Sequence, residues 1–378
     1  MTELRWTTAG ESHGLALVGV LEGVPAGLVL DLARVDAELE RRQRGYGRGG
    51  RMKFEHDRAE LLSGTRAGRT LGSPIALRIV NADATIERLG VPTSARPGHA
   101  DLAGCQKLTQ RDPRAVLERA SARETAMRVA LGAVARQVLE AFGVEVFAHV
   151  VELGGAPARE VELAPAERRS RRDGSEFFTL DPDVEPGWRK LVDEAKDAGD
   201  SLGGVFEVRA SGLAPGLGSY QSPVERLSSR LGGALFSIPA IKAVEIGLGR
   251  DAAVHPGSAV HDPIVLRAGR FGRFGRSSNR AGGLEGGLTT GEELVVRAAM
   301  KPISTLRRGL PTVDFESGQP VTSTYQRSDV TAVPAASVVG EAVVALELAR
   351  AFLARFGGDS IEQVRDAFEA YVERLGQL

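Results

Sequence analysis

The stretch ARETAMRVALGAVARQVLEAFGVEVFAHVVEL, residues 122–153, carries the strongest statement about fold. Met127, Leu131, Val134, Val138 and Leu139 recur at helical spacing and form one apolar stripe, which predicts a helix over Ala122–Phe142. Gly143 ends it, because glycine enters the left-handed conformation of a helix C-terminus without steric cost. Val144–Leu153 then reads as a strand, apolar and rich in valine.

Working outward, the same signals recur. The opening residues and Leu15–Leu21 look like strands flanking a turn at Gly10–Gly14. Asp31–Arg42 reads as a helix with Leu32, Val35 and Leu39 on one face and Gly45 beyond its end. Leu61–Ser63 and Ile75–Val80 are candidate strands. Residues 157–200 are polar and charged, a peripheral excursion with one short helix near Trp188–Ala198. Val205–Ser211, Ala243–Ile246, Ile264–Leu266 and Leu294–Met300 read as strands. Pro223–Phe236, Ala335–Phe356 and Ile361–Leu375 read as helices, and residues 268–292 as a long Gly/Ser/Arg/Asn loop. Strands and helices do not alternate as in a doubly wound sheet, so the expected class is α+β. The expected organisation is a single domain over 1–378. Polar, Arg-containing segments before two long helices hint at a duplication with halves near 1–155 and 200–378.

At 378 residues and 42% hydrophobic, the chain can bury a large core. Its 48 basic residues balance 49 acidic ones, so no global field favours nucleic acid or an anionic membrane. The most apolar run, Ala332–Phe356, contains Glu341, Glu347, Arg350 and Arg355 and is not a membrane span. One cysteine, Cys105, excludes an intramolecular disulfide and, with no signal-peptide pattern at the start, points to the cytoplasm.

Chemistry concentrates in loops. In Gly10-Glu11-Ser12-His13-Gly14 a glycine-flanked turn exposes Ser12 and His13. His13 is either a proton-transfer group or a hydrogen-bonded turn histidine. No helix follows at once, so the G-x-S-x-G spelling is not a nucleophile elbow. Arg96-Pro97-Gly98-His99-Ala100-Asp101 offers a second histidine, an arginine for an anion, and an aspartate suited to cap the next helix. Residues 41–51 hold five arginines among glycines, a loop able to close over a phosphorylated ligand or a solvated charge run. With Tyr46 as the lone aromatic there, base stacking on nucleic acid is not supported. Ser121 and Glu124 spell a capping box, with Arg119 and Arg123 beside that helix start. Ser277–Gly287 exposes backbone amides to a flat ring or phosphate but is no dinucleotide fingerprint. Lys301–Thr305 and Arg327-Ser328-Asp329 add cations, hydroxyls and a carboxylate. No metal-ligand spacing is present in the sequence. These residues alone describe an enzyme for a phosphorylated, anionic substrate and leave the reaction open.

Nine collinear segments resemble the chorismate synthase family along essentially the whole chain. They are GESHG (10–14), RRQRGYGRGGRM (41–52), RPGHADL (96–102), RASARETAMRVA (119–130), APGLGSYQSPVERL (214–227), IPAIKAVEIG (238–247), SNRAGGLEGG (278–287), KPISTL (301–306) and RSD (327–329). The resemblance implies a β-α-β sandwich of antiparallel sheets and helices, usually a homotetramer. It implies 1,4-anti elimination of phosphate from 5-enolpyruvylshikimate 3-phosphate, the last step to chorismate on the route to aromatic amino acids. Reduced FMN is the implied cofactor, with no net redox change. By that resemblance His13 protonates the departing phosphate, His99 donates a proton to the reduced flavin, and Asp329 with Ser12 assists proton removal. Arg119, Ala120, Ser121, Ala240, Gly286, Lys301, Pro302, Ile303, Ser304, Thr305 and Arg327 would hold FMN. Arg42 and Arg48 would line the substrate end, a region also associated with NADPH as flavin reductant, and Arg123 would face substrate phosphate or carboxylate. Ala120 and Pro239 stand where some members have serine and asparagine. No flavin-reductase domain is visible, so an external flavin reductase is the expected partner; no nucleic acid or membrane is expected.

Overall fold

The computed structural model describes residues 3–49, 56–323 and 329–378. Its centre is a pair of helices. The first, Thr125–Glu140, follows a 3₁₀ turn at Ala122–Glu124; the second spans Val333–Phe356. Thr125 and Ala335 of their first turns lie at one end, Arg136 meets Glu341 in the middle, and the Phe142 and Phe352 rings pack tilted at the far end, 4.7 Å between centroids. The helices therefore run parallel. They approach closely because Gly132 faces Ala342: a Cβ at Gly132 would lie 2.5 Å from that of Ala342. Gly340 in turn lies under the Phe206 ring, where a Cβ would sit 2.3 Å from a ring carbon. Neither residue tolerates a side chain without parting the layers.

Antiparallel sheets cover the pair on both sides. The first sheet runs in the order Arg5–Ala9, Ala16–Glu22, Ile75–Val80, Glu60–Ser63 and packs on the helix Thr125–Glu140. The second runs Ile241–Ile246, Leu294–Met300, Gly204–Ser211, Glu145–Leu153, Ala156–Pro157 and packs on Val333–Phe356. The result is the expected β-α-β sandwich. Val146, Ala148 and Val150 are fully buried, as are Phe206 and Val208 on the neighbouring strand, and Phe147, His149 and Glu207 between them are buried too, so these central strands are covered on both faces. The strand 145–153 belongs to the first of the two suggested halves, yet it pairs with 204–211 of the second.

The predicted helix over 122–142 forms, but nearly its whole circumference is buried rather than one stripe, because it lies between a sheet and another helix. The excursion 157–200 holds two helices, Pro165–Gly174 and Glu185–Asp197, where the sequence pattern suggested one. PAERRSRRDG has no apolar repeat to announce it. Phe177, Phe178 and Trp188 of this segment are fully buried in the core. The long loop expected over 268–292 contains a strand, Gly272–Arg276, paired with Ile264–Gly269. No helix among the described residues is long and apolar enough to cross a membrane.

A buried ionic cluster locks the layers. Glu341 of the long helix accepts from Arg136, from Arg172 and from the Ala148 amide, and pairs with Arg41 at 3.0 Å. Glu38 receives Arg41 and Arg136. Burial opposes ionisation of Glu38, but the two guanidinium groups outweigh it and hold its carboxyl at about 2 against an ordinary 4.5. A folded-state value below the unfolded one contributes stability that is complete above about pH 4.5 and is lost as pH falls toward 2. We expect Glu38→Gln to flatten the fall in unfolding free energy across that window, measured by urea titration at each pH.

Candidate active site

The parallel pairing brings both helix N-termini to one place. Thr125 and Ala122 of one start, and Ala332, Ala335 and Ala336 of the other, line a single cavity of about 1050 Å³. The loops that carry chemistry converge on it. A helix start presents unpaired N–H groups and a partial positive charge, so two of them bias the cavity toward anions.

Ser12 and His13 form one rim. Their turn is tied down by the segment before the central helix: the Ser12 amide donates to the Glu118 carbonyl at 3.0 Å, and the His13 amide to the Glu118 carboxylate at 2.9 Å. The His13 ring places Nδ1 3.0 Å from both oxygens of that carboxylate, and Asp83 Oδ2 stands 4.0 Å from Nε2. Arg114, four residues before Glu118, donates to its Oε1 at 3.2 Å.

His99 lies on the same cavity, backed by its own carboxylate. Nδ1 is 2.5 Å from Asp101 Oδ1, and Arg96 grips Asp101 through Nε at 2.8 Å while its Nη2 lies 3.1 Å from the imidazole. Burial would raise the Asp101 carboxyl, but the bonds from His99 and Arg96 hold it well below the usual carboxylate range. Asp101 is thus no helix cap as the sequence suggested: it opens the helix Asp101–Leu108 and spends its oxygens on Arg96 and His99. Arg96 also reaches Thr305, and Lys301 Nζ donates to the Gly98 carbonyl at 2.5 Å, joining the 96–101 and 301–305 loops.

The third group is guanidinium-rich. Arg42 leaves the end of the helix Leu32–Gln43 to donate to the Ala122 carbonyl at 2.8 Å and to Thr125. Arg123 is buried against Asp57 at 2.7 Å and Asn81 at 2.9 Å, and Arg42 lies 3.9 Å from the same Asp57. Arg48 pairs with Asp329 at 2.5 Å, and the Gly49 amide donates to the other Asp329 oxygen at 2.6 Å. Burial first, then the neighbouring Arg123 and Arg48 charges, lower Arg42 to about 10 despite Asp57. The five-arginine run divides accordingly. Arg41 enters the core cluster, Arg44 reaches the Asp173 carbonyl, Arg42 and Arg48 meet the cavity, and Arg51 is outside the described residues.

Ala120, Ser121, Ala240, Lys301, Ile303, Ser304, Thr305 and Arg123 line the cavity too. Ala240 holds a left-handed φ of 71° and accepts from the Lys301 amide, a strained corner on the cavity wall. Pro302 does not line it, and Arg119 turns its guanidinium to the Thr8 and Gly10 carbonyls. Gly286 lies in the turn of a small hairpin, Leu284–Glu285 with Leu288–Thr289, away from the wall. Asn279 in that glycine-rich stretch spends its side chain on Gly283 and Glu293 backbone. Arg327 is outside the described residues. Ser121 caps the 3₁₀ turn through the Arg123 amide, but Glu124 goes to Thr8 and Arg128, so the capping box does not close.

Sequence reasoning missed Glu118, Asp57, Asn81 and Asp83, acidic or amide residues in no recognisable pattern. It also missed the apolar wall of Ile238, Met300 and Val339. Among the described residues, seven arginines and lysines line the cavity against two carboxylates, Asp83 and Asp329.

That excess of positive charge around two carboxylate-backed imidazoles defines an enzyme for a small, multiply anionic molecule. The family model for chorismate synthase matches residues 4–353. The chorismate synthase of Geobacter sulfurreducens is 51% identical, with 98% of each chain covered, and that of Desulforudis audaxviator is 52% identical with the same coverage. A solved crystal structure of chorismate synthase, 42% identical, superposes at a TM-score of 0.83 over the whole of both chains. This chain belongs to the chorismate synthase family and is a carbon–oxygen lyase acting on phosphates.

Removing Asp57 would leave Arg42 and Arg123 buried without their shared counter-ion. We expect Asp57→Ala to lose about 3–5 kcal/mol in urea unfolding, and inorganic phosphate to restore part of that loss by entering the vacated field.

Proposed function

We propose that the cavity performs the 1,4-anti elimination of phosphate from 5-enolpyruvylshikimate 3-phosphate, giving chorismate with no net redox change, in the presence of reduced FMN. The observation that carries this reading is the charge of the wall: seven cations converge where a substrate with one phosphate and two carboxylates must be neutralised. At about 1050 Å³ the cavity exceeds the usual size for a single small ligand and suits two side by side.

The residues present fit a flavin. Ile238, Met300, Ala335 and Ala336 offer small apolar surfaces to a flat ring, and Ser121, Lys301, Ser304 and Thr305 offer donors to its polar edge and phosphate. Ala120, Ala240 and Ile303 complete that side through backbone and Cβ. The resemblance assigns Arg119, Pro302, Gly286 and Arg327 to FMN as well. Reduced FMN, when bound, supplies electron density transiently and takes it back, which amino-acid side chains do not do.

The protein's own groups move protons and hold charge. Arg42, Arg48 and Arg123 take the substrate's anionic groups. His13 donates a proton to the departing phosphate, typically worth ~10²–10⁴-fold, because phosphate leaves poorly as a fully charged anion. His99 supplies a proton on the flavin side. Asp329 assists proton removal with Ser12, and its pairing with Arg48 and the Gly49 amide keeps it oriented. The reading includes a homotetramer, an external flavin reductase, and NADPH as the ultimate reductant near Arg42 and Arg48.

The test is anaerobic. Full-length protein mixed with reduced FMN and 5-enolpyruvylshikimate 3-phosphate should release chorismate and phosphate in equal amounts, with reductant needed only catalytically. His13→Ala and His99→Ala should each lower turnover by at least ~10²-fold with the fold intact by circular dichroism. Reductant consumed once per turnover, or near-normal rates in both variants, would contradict the proposal.

A further inference from the structure

We propose that Glu118 is a positioning residue for the elimination: it holds the Ser12–His13 turn and fixes the His13 ring with Nδ1 protonated inward, so that Nε2 is the nitrogen that exchanges its proton with the ligand. The inference rests on His13 being the proton donor of the proposed function.

Glu118 is 2% exposed and makes every contact that a holder of this turn would need. Its carbonyl accepts from the Ser12 amide at 3.0 Å, and one carboxylate oxygen accepts from the His13 amide at 2.9 Å. Both oxygens stand 3.0 Å from His13 Nδ1. Backbone and ring of one residue are thereby held by a single carboxylate, which removes rotation about the His13 side chain.

The protonation pattern follows from the chemistry of the partners. Burial alone would raise the Glu118 carboxyl; the hydrogen bonds from the His13 ring and amide and from Arg114 outweigh it and lower it. An ionised carboxylate only accepts, so Nδ1 must carry the hydrogen between them. Nε2 is the remaining ring nitrogen. His13 and Asp83 both line the cavity, and Asp83 at 4.0 Å from Nε2 is beyond hydrogen-bond distance. The arrangement repeats the imidazole–carboxylate pairing by which enzymes set a tautomer and orient a ring. His99 has the same backing from Asp101, but there Arg96 Nη2 stands 3.1 Å from the ring nitrogen, a cation the ring must share. Glu118 therefore serves the imidazole assigned to the departing phosphate without that sharing of its ring nitrogen.

Two measurements test this. In the unsubstituted protein, nitrogen-15 spectra of labelled histidine, taken at a pH where the ring is neutral, should show the His13 proton on Nδ1. In steady-state turnover with reduced FMN and 5-enolpyruvylshikimate 3-phosphate, Glu118→Gln should lower kcat by about 10–100-fold with KM nearly unchanged. The same substitution in a His13→Ala background should cost nothing further. A proton on Nε2 alone, or a full additional loss in the His13→Ala background, overturns the inference and marks Glu118 as merely structural. If His13→Ala itself keeps near-normal turnover, the proton-donor role fails first, and the two failures are told apart. The spectrum of the unsubstituted protein decides the question even if Glu118→Gln does not fold.

Discussion

Two helices that begin in the same place organise this molecule. Gly132 against Ala342 lets their backbones approach, and the parallel direction puts Thr125 and Ala335 together at one end. Everything chemical is then built around that end. Sheets on both sides exclude water from the pair, and the buried cluster of Glu341, Glu38, Arg41, Arg136 and Arg172 fixes how the layers sit. Were the helices antiparallel, their dipoles would oppose at the cavity and half of the anion-favouring field would be lost.

The cavity's charges are arranged to survive without a ligand. Arg42 and Arg123 share Asp57; Arg48 and the Gly49 amide share Asp329; Arg96 holds Asp101 and Arg114 holds Glu118. Each carboxylate stabilises a cation that would otherwise repel its neighbours in a poorly hydrated space, and none removes the net positive balance. An anionic substrate thus finds guanidinium groups already oriented, and reorganisation at binding is small. Two of these acids, Glu118 and Asp101, also back the imidazoles, so there one buried carboxylate serves both an arginine and a proton-transfer group.

Much of the site is legible in the amino-acid sequence. His13 and His99 stand out because glycine-flanked loops expose side chains, and both line the cavity. Arg42, Arg48, Ser121 and Lys301–Thr305 stand out in the sequence as loop cations, a helix cap and hydroxyls, and the family resemblance adds their individual roles. Glu118 is not legible at all: it sits between an apolar Leu117 and Arg119 at the end of a short helix, and its role arises from a turn 105 residues away. Asp101 is visible but misleading, because a local rule about helix caps competes with a contact to Arg96 and His99 that only the folded loop creates. Glu124 misleads in the same way. Its capping-box spacing is correct, yet Thr8 from the first strand and Arg128 one turn on claim its oxygens.

Local periodicity by itself determined the helices at 32–43, 125–140 and 333–356, because each depends on side chains a few residues apart. Composition determined that no global charge directs the chain to nucleic acid. Only the tertiary structure decided that the two helices run parallel, that the two sheets enclose them, and which acid stands behind which histidine. Those facts depend on contacts between residues tens to hundreds of positions apart, whose free energy appears only when the chain has closed, and no short stretch of sequence contains both partners.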